Sequence, residues 1–155
     1  MPQKSEGAVI VEALAARFDE RLYHTKSMGG TEITYVPWWA YVERLNEMFG
    51  LGWEAEVTHL ESVPDAAGST FVVAVALKVR DPETGDWISR SNVGDESGST
   101  KGYGSTATNA YAQALKRACA LYGMALDLYH KEEAESRQAR AQAPSRAKEY
   151  DERDE

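Results

Sequence analysis

Phe71-Val-Val-Ala-Val-Ala-Leu-Lys-Val-Arg80 is the stretch whose reading decides the fold. Its apolar run, Phe71 to Leu77, is seven residues long, far short of a membrane span, and valine recurs at 72, 73, 75 and 79. β-Branched side chains in a short apolar run make a strand. On one side, Asp81-Pro82-Glu83-Thr84-Gly85-Asp86 is turn chemistry and Trp87 to Val93 reads as the return strand. On the other side, Pro64 to Ser69 is a turn. Before it, Trp53 to Leu60 sets Trp53, Ala55 and Val57 against Glu54, Glu56 and Thr58. That alternation marks a half-buried strand. Three strands joined by short connections form an antiparallel meander.

Outward from the meander the periodicity changes. Ile10, Leu14, Phe18 and Leu22 recur every four residues and predict a helix over 6–22. Two β-prone runs, Tyr23 to Lys26 and Thr31 to Val36, flank Gly29-Gly30 and predict a hairpin. Pro37 then opens a helix over Trp38 to Phe49, with Val42, Leu45 and Phe49 as its core stripe and Gly50 and Gly52 as its caps. Gly94 to Gly104, rich in Gly and Ser, reads as a mobile loop, followed by a helix from Ser105 to Tyr122 that stops at Gly123. The sum is an α+β domain over 1–130: a β-hairpin and a three-stranded meander, antiparallel and backed by helices. Residues 131–155 hold almost no large apolar side chains. They have no core to join, so this tail is expected to be disordered, or helical before Pro144.

The composition sets limits. The 155 residues are 43% hydrophobic, enough for one core. A single cysteine, Cys119, excludes an internal disulfide and a cysteine-based zinc site and fits a reducing compartment. Met1 to Gly7 is polar and leads into no long apolar stretch, so no signal peptide is read and a cytoplasmic location is expected. The net charge of −8 opposes nucleic-acid binding. Residues 1–130 carry 11 basic and 17 acidic side chains, so the tail does not explain the acidity and the body itself is acidic. Any DNA site must be a local basic cluster.

Enzyme and metal motifs do not emerge. His24, His59 and His130 are scattered. Gly98-Ser99-Thr100-Lys101 lacks the glycine that should precede a phosphate-loop lysine. Asp95 and Glu96 read as solvated loop charges. No catalytic residue, metal site or cofactor is expected. The helix over 105–122 is more informative. Ala107, Ala110, Ala114 and Ala118 make a narrow face for close packing on the sheet, and Lys116 and Arg117 are its only charges. Helix phase puts Asn109, Gln113 and Lys116 on one stripe with Arg117 beside it. That stripe serves equally well as a solvated edge or as a phosphate-binding row. Tyr35, Trp38, Trp39 and Tyr41 crowd the hairpin exit. Aromatic faces there could stack bases, but large apolar area favours packing of Trp38 and Trp39 in the core or at a subunit interface.

These words occur in an order that resembles the N-terminal domain of the Rad52 family of annealing proteins. Thr25-Lys-Ser-Met-Gly-Gly, Ile33-Thr-Tyr-Val, Leu45-Asn-Glu-Met-Phe-Gly with Gly52-Trp53, Phe71-Val-Val-Ala-Val, Ala114-Leu-Lys-Arg-Ala and Leu121-Tyr-Gly-Met-Ala-Leu carry the likeness over roughly residues 17–129. The small size is similar to the versions carried by bacteriophages, which would place the protein in the cytosol of a bacterial host. The resemblance implies a β-β-β-α core, ring-shaped or helical homo-oligomers, and single-stranded DNA annealed without ATP in recombination or repair. It implies DNA contacts from Lys116 and Arg117, from Lys26 before the glycine turn and from Tyr35 after the hairpin, with Lys101 as a basic residue of the loop. Two departures stand out. Thr108, Asn109 and Gln113 are neutral where the family has basic residues, which argues against a second, outer DNA site. Val36-Pro37-Trp38-Trp39 stands where a glycine and a basic or polar residue are usual. A single-strand-binding protein or an exonuclease is a candidate partner. Two alternatives stay open: a protein of this fold that protects single strands or DNA ends without annealing, and a small α+β enzyme with an unrecognised pocket.

Overall fold

The computed structural model describes residues 2–66, 68–98 and 105–142. Its elements are α1 (Glu6–Ala15), a single 3-10 turn (Glu20–Leu22), β1 (His24–Met28), β2 (Thr31–Tyr35), α2 (Trp38–Phe49), β3 (Trp53–Asp65), β4 (Gly68–Arg80), β5 (Trp87–Ser97), α3 (Thr106–Ala120) and α4 (Leu126–Gln142). Strands β1 and β2 form a two-stranded antiparallel sheet, and β3-β4-β5 form a separate antiparallel sheet in that order. The chain is therefore α+β, with a hairpin and a meander as the sequence predicts.

Alternation along β4 explains which way the meander faces. Val73, Val75, Leu77 and Val79 point to the helices and are buried. On the opposite face Lys78 pairs with Glu54 and Glu56 of β3. The strands begin and end as predicted at Trp53, Arg80 and Trp87 but run longer at the opposite end of the sheet. Pro64 reads as a turn residue, yet it lies in β3 opposite Ser69. As β3 is an edge strand, a residue without an N–H is tolerated there. Gly94 to Ser97 belong to β5 and not to a loop. The reason lies above the strand: α3 crosses β5 so closely that a Cβ on Gly94 would sit 2.5 Å from the Ala114 nitrogen, and nearer still to the Ala110 carbonyl oxygen. Ala110, Ala114 and Ala118, all fully buried, form the face of α3 that makes this approach possible.

The core fills the space between this face and α1 and α2, with Leu14, Phe18, Val36, Tyr41, Leu45, Leu77 and Met124 among its members. The predicted helix over 6–22 is interrupted. It stops at Ala15, and Ala16 turns extended at ψ 139°. Arg44 of α2 takes up the freed carbonyls of Leu14 and Ala16 (3.1 and 2.5 Å) and lays its guanidinium 3.8 Å from the centre of the Phe18 ring. The apolar stripe survives the break because Phe18 still reaches the core, against Tyr41. The turn between β1 and β2 uses Gly29 and Gly30, both in the left-handed region (φ 57° and 81°), as a two-residue hairpin requires. Beyond the core, the predicted tail is helical as far as Gln142, and α4 contributes no buried residue. Its start is tied to the rest by Leu128, which packs against the core, and by two hydrogen bonds: Tyr23 donates to Asp127 at 2.8 Å, and Lys131 Nζ donates to Thr34 Oγ1 at 3.3 Å.

Candidate nucleic-acid interface

A two-residue turn fixes the hairpin register, pairing His24 with Tyr35 and Lys26 with Ile33. With side chains alternating between faces, His24, Lys26, Ile33 and Tyr35 share one face. The His24 and Tyr35 rings stack there with centroids 5.7 Å apart. Lys26 Nζ stands 5.2 Å from the centre of the Tyr35 ring. From α3, Lys116 Nζ reaches the same ring at 5.6 Å and donates to the Val36 carbonyl at 3.4 Å. Both distances fall within cation–π range. Thus residues 90 positions apart in sequence converge on one aromatic ring.

The electrostatics of this pair are unusual for a structural site. Burial pushes the Lys116 pKa below its ordinary value, and the nearby positive charge of Lys26 pushes it the same way. Among the described residues neither ammonium has a carboxylate partner; its close contacts are the Tyr35 ring and, for Lys116, the Val36 carbonyl. Two like charges held together, one of them partly desolvated, repel each other and raise the energy of the pair. A multiply charged anion lowers it. The N-terminus of α2 begins just beyond Val36, with Pro37 at its cap and no acidic residue in its first turn.

The lysine–arginine pair of α3 divides in the structure. Arg117 turns to β5, where it donates to the Val93 carbonyl at 3.0 Å and lies 3.7 Å from Asp95. Gln113 likewise accepts from the Asp95 backbone N–H at 2.7 Å, so it does not extend a row with Lys116. Lys101 lies outside the described residues. His24 shares the face of Tyr35, and its place is recoverable from the sequence because the Gly29-Gly30 turn dictates that register. Lys131 of α4 meets Thr34, which pairs with Thr25 on the opposite face of the hairpin, and so is not part of this cluster. Trp38 and Trp39 do not pack in the core of this chain: they are 50% and 42% exposed.

Residues 7–147 match the Rad52/22 family double-strand break repair protein. The chain belongs to the Rad52/22 family. A relative, the DNA repair RAD52-like protein 1, mitochondrial, of Arabidopsis thaliana, is 34% identical over 125 residues, covering 81% of this chain and 68% of the relative. The family match begins in α1 and runs past the end of α4, so it takes in both the hairpin and the helix that supply the lysine pair. As a Rad52/22 family member the chain is a DNA repair and recombination protein. Among the described residues no group of three or more His, Cys, Asp or Glu side chains is arranged to hold a metal ion, and no helix is long and apolar enough to cross a membrane.

Proposed function

We propose that the chain binds single-stranded DNA at Lys26, Tyr35 and Lys116 and anneals complementary strands without a nucleotide cofactor or catalytic chemistry. The observation that carries this reading is the convergence on the Tyr35 ring of two ammonium groups that no carboxylate among the described residues pairs. Phosphate contacts carry no base information. A site built from them accepts any sequence and leaves base edges free to pair, as annealing requires. Arg117, already engaged by Asp95 and Val93, takes a lesser part and reaches phosphate only by exchanging those partners. Lys101 adds charge from the segment between β5 and α3.

At a net charge of −8 the chain as a whole offers no long-range attraction for DNA, and repetition of the basic cluster offsets this. In a closed ring of identical subunits, one cluster per subunit forms a continuous basic track while acidic surface faces elsewhere. The test combines native mass measurement, which should show a large homo-oligomer, with annealing of complementary oligonucleotides in the absence of ATP and magnesium. The variant Lys26→Ala/Lys116→Ala should lose affinity for all single strands alike. Its plot of log affinity against log salt should flatten by about 0.7 per phosphate contact removed. Arg117→Ala should flatten it less. Binding without strand pairing would favour the protection role. No binding by the parent protein, or an unchanged salt slope in the double variant, would refute the site.

A further inference from the structure

We infer that the exposed indoles of Trp38 and Trp39, which as adjacent helical positions diverge by about 100°, offer base-stacking faces beside the lysine site, an inference that rests on the proposal that the site takes single-stranded DNA. Two consecutive tryptophans at the start of α2 are 50% and 42% exposed in the folded chain. Exposed apolar area of that kind marks a surface that something covers. The position says what. Lys116 donates to the carbonyl of Val36, and Trp38 follows Val36 by two residues, at most about 7 Å of chain. The indoles are therefore carried by the residues next to the carbonyl that Lys116 holds.

The occupant has to satisfy both features together. A second apolar protein surface laid over the tryptophans would crowd Lys26 and Lys116, which have no carboxylate among the described residues to neutralise them. Burying such charges unpaired is costly. Single-stranded DNA offers phosphates for the ammonium groups and, one sugar away, flat π-faces for the indoles. Stacking uses base faces and leaves the pairing edges free, so it adds affinity without sequence preference. It thus supplies what phosphate contacts alone lack: a means of orienting bases.

The test compares a thymine oligonucleotide with an abasic strand of equal length, using the full chain, Trp38→Ala, Trp39→Ala, the double variant and Trp87→Ala. Trp87 is comparably exposed, at 53%, but sits at the start of β5 opposite Arg80. The parent should bind the base-bearing strand more tightly than the abasic one. The double variant should lose roughly 5- to 150-fold in affinity for the base-bearing strand per base unstacked, lose most of that preference, and keep the parent's salt slope. Trp87→Ala should match the parent. Native mass measurement of each variant should give the parent's oligomer. Parental discrimination between the two strands by the double variant would overturn the stacking. So would dispersal of its oligomer, since the tryptophans would then be subunit-interface residues. If instead the parent binds neither strand, it is the single-strand reading itself that fails.

Discussion

Gly94→Ala tests the packing that carries Lys116 into place. A Cβ at this position would lie 2.5 Å from the Ala114 nitrogen and 3.1 Å from its Cα, against an ordinary contact of 3.4–4 Å. Both obstacles are helix backbone, which cannot rotate aside as a side chain can. To restore contact α3 must retreat from β5 by about 1 Å, which opens the interfaces of Ala110, Ala114 and Ala118 with the sheet. Overpacking of this kind costs typically 1–3 kcal/mol, and a rigid obstacle on a fully packed face belongs at the upper end. For a domain of this size, about 3 kcal/mol lowers the melting temperature by roughly 6–12 °C. Thermal unfolding followed by circular dichroism measures it, with Val93→Ala on the exposed neighbour as a control expected to move it much less. The same retreat lengthens the reach from Lys116 to the Tyr35 ring, now 5.6 Å, so single-strand affinity should fall as well. A melting temperature within about 2 °C of the parent would show that α3 does not lie this close to β5, and the geometry argued for Lys116 would fall with it.

Lys116 has a folded-state pKa below its unfolded value of 10.5. Between the two values the unfolded chain binds more protons, so the contribution of this residue to stability rises with pH through that window and is unfavourable below it. Single-strand affinity should run the opposite way, declining in the same alkaline window as Lys116 loses its charge. Lys116→Arg should hold affinity to higher pH, and parallel pH titrations of binding for parent and variant would show otherwise if Lys116 is not the titrating group. Deleting residues 131–155 should leave fold and binding intact. α4 contributes no buried residue, and the Lys131 to Thr34 contact it would remove is a single exposed hydrogen bond at 3.3 Å. Loss of soluble protein or of the oligomer on truncation would show that α4 is structural.

The meander, the hairpin and the three helices of the body were legible because each is encoded locally. Alternation marks β3, the double glycine marks the turn between β1 and β2, and alanines at helical spacing mark α3. The errors arose where tertiary contact overrides a local signal. Gly94 reads as loop because glycine is read as flexible, yet here its missing Cβ lets a helix lie on a strand. Pro64 reads as turn because its place at a sheet edge is not visible until the strand order is known. The helix over 6–22 breaks because Arg44, nearly 30 residues away, supplies partners for its last carbonyls.

The same distinction applies to the site. Lys26, Tyr35 and Lys116, the residues proposed for DNA contact, were each recognisable as candidates through the family resemblance. That Lys116 and Arg117 face different elements was not, although adjacent helical positions differ by about 100° in direction and must diverge. One turns to the hairpin and the other to β5, where Asp95 meets it. This division accounts for how an acidic chain can carry a basic site. Arg117 is neutralised locally and ties α3 to the sheet, whereas Lys116 is held beside Lys26 with no carboxylate among the described residues to answer it. In the proposed DNA complex the stability withheld by that uncompensated pair is available to the entering phosphates, so the positive charge that matters for such binding is the small part the fold leaves unpaired, not the sum over the sequence.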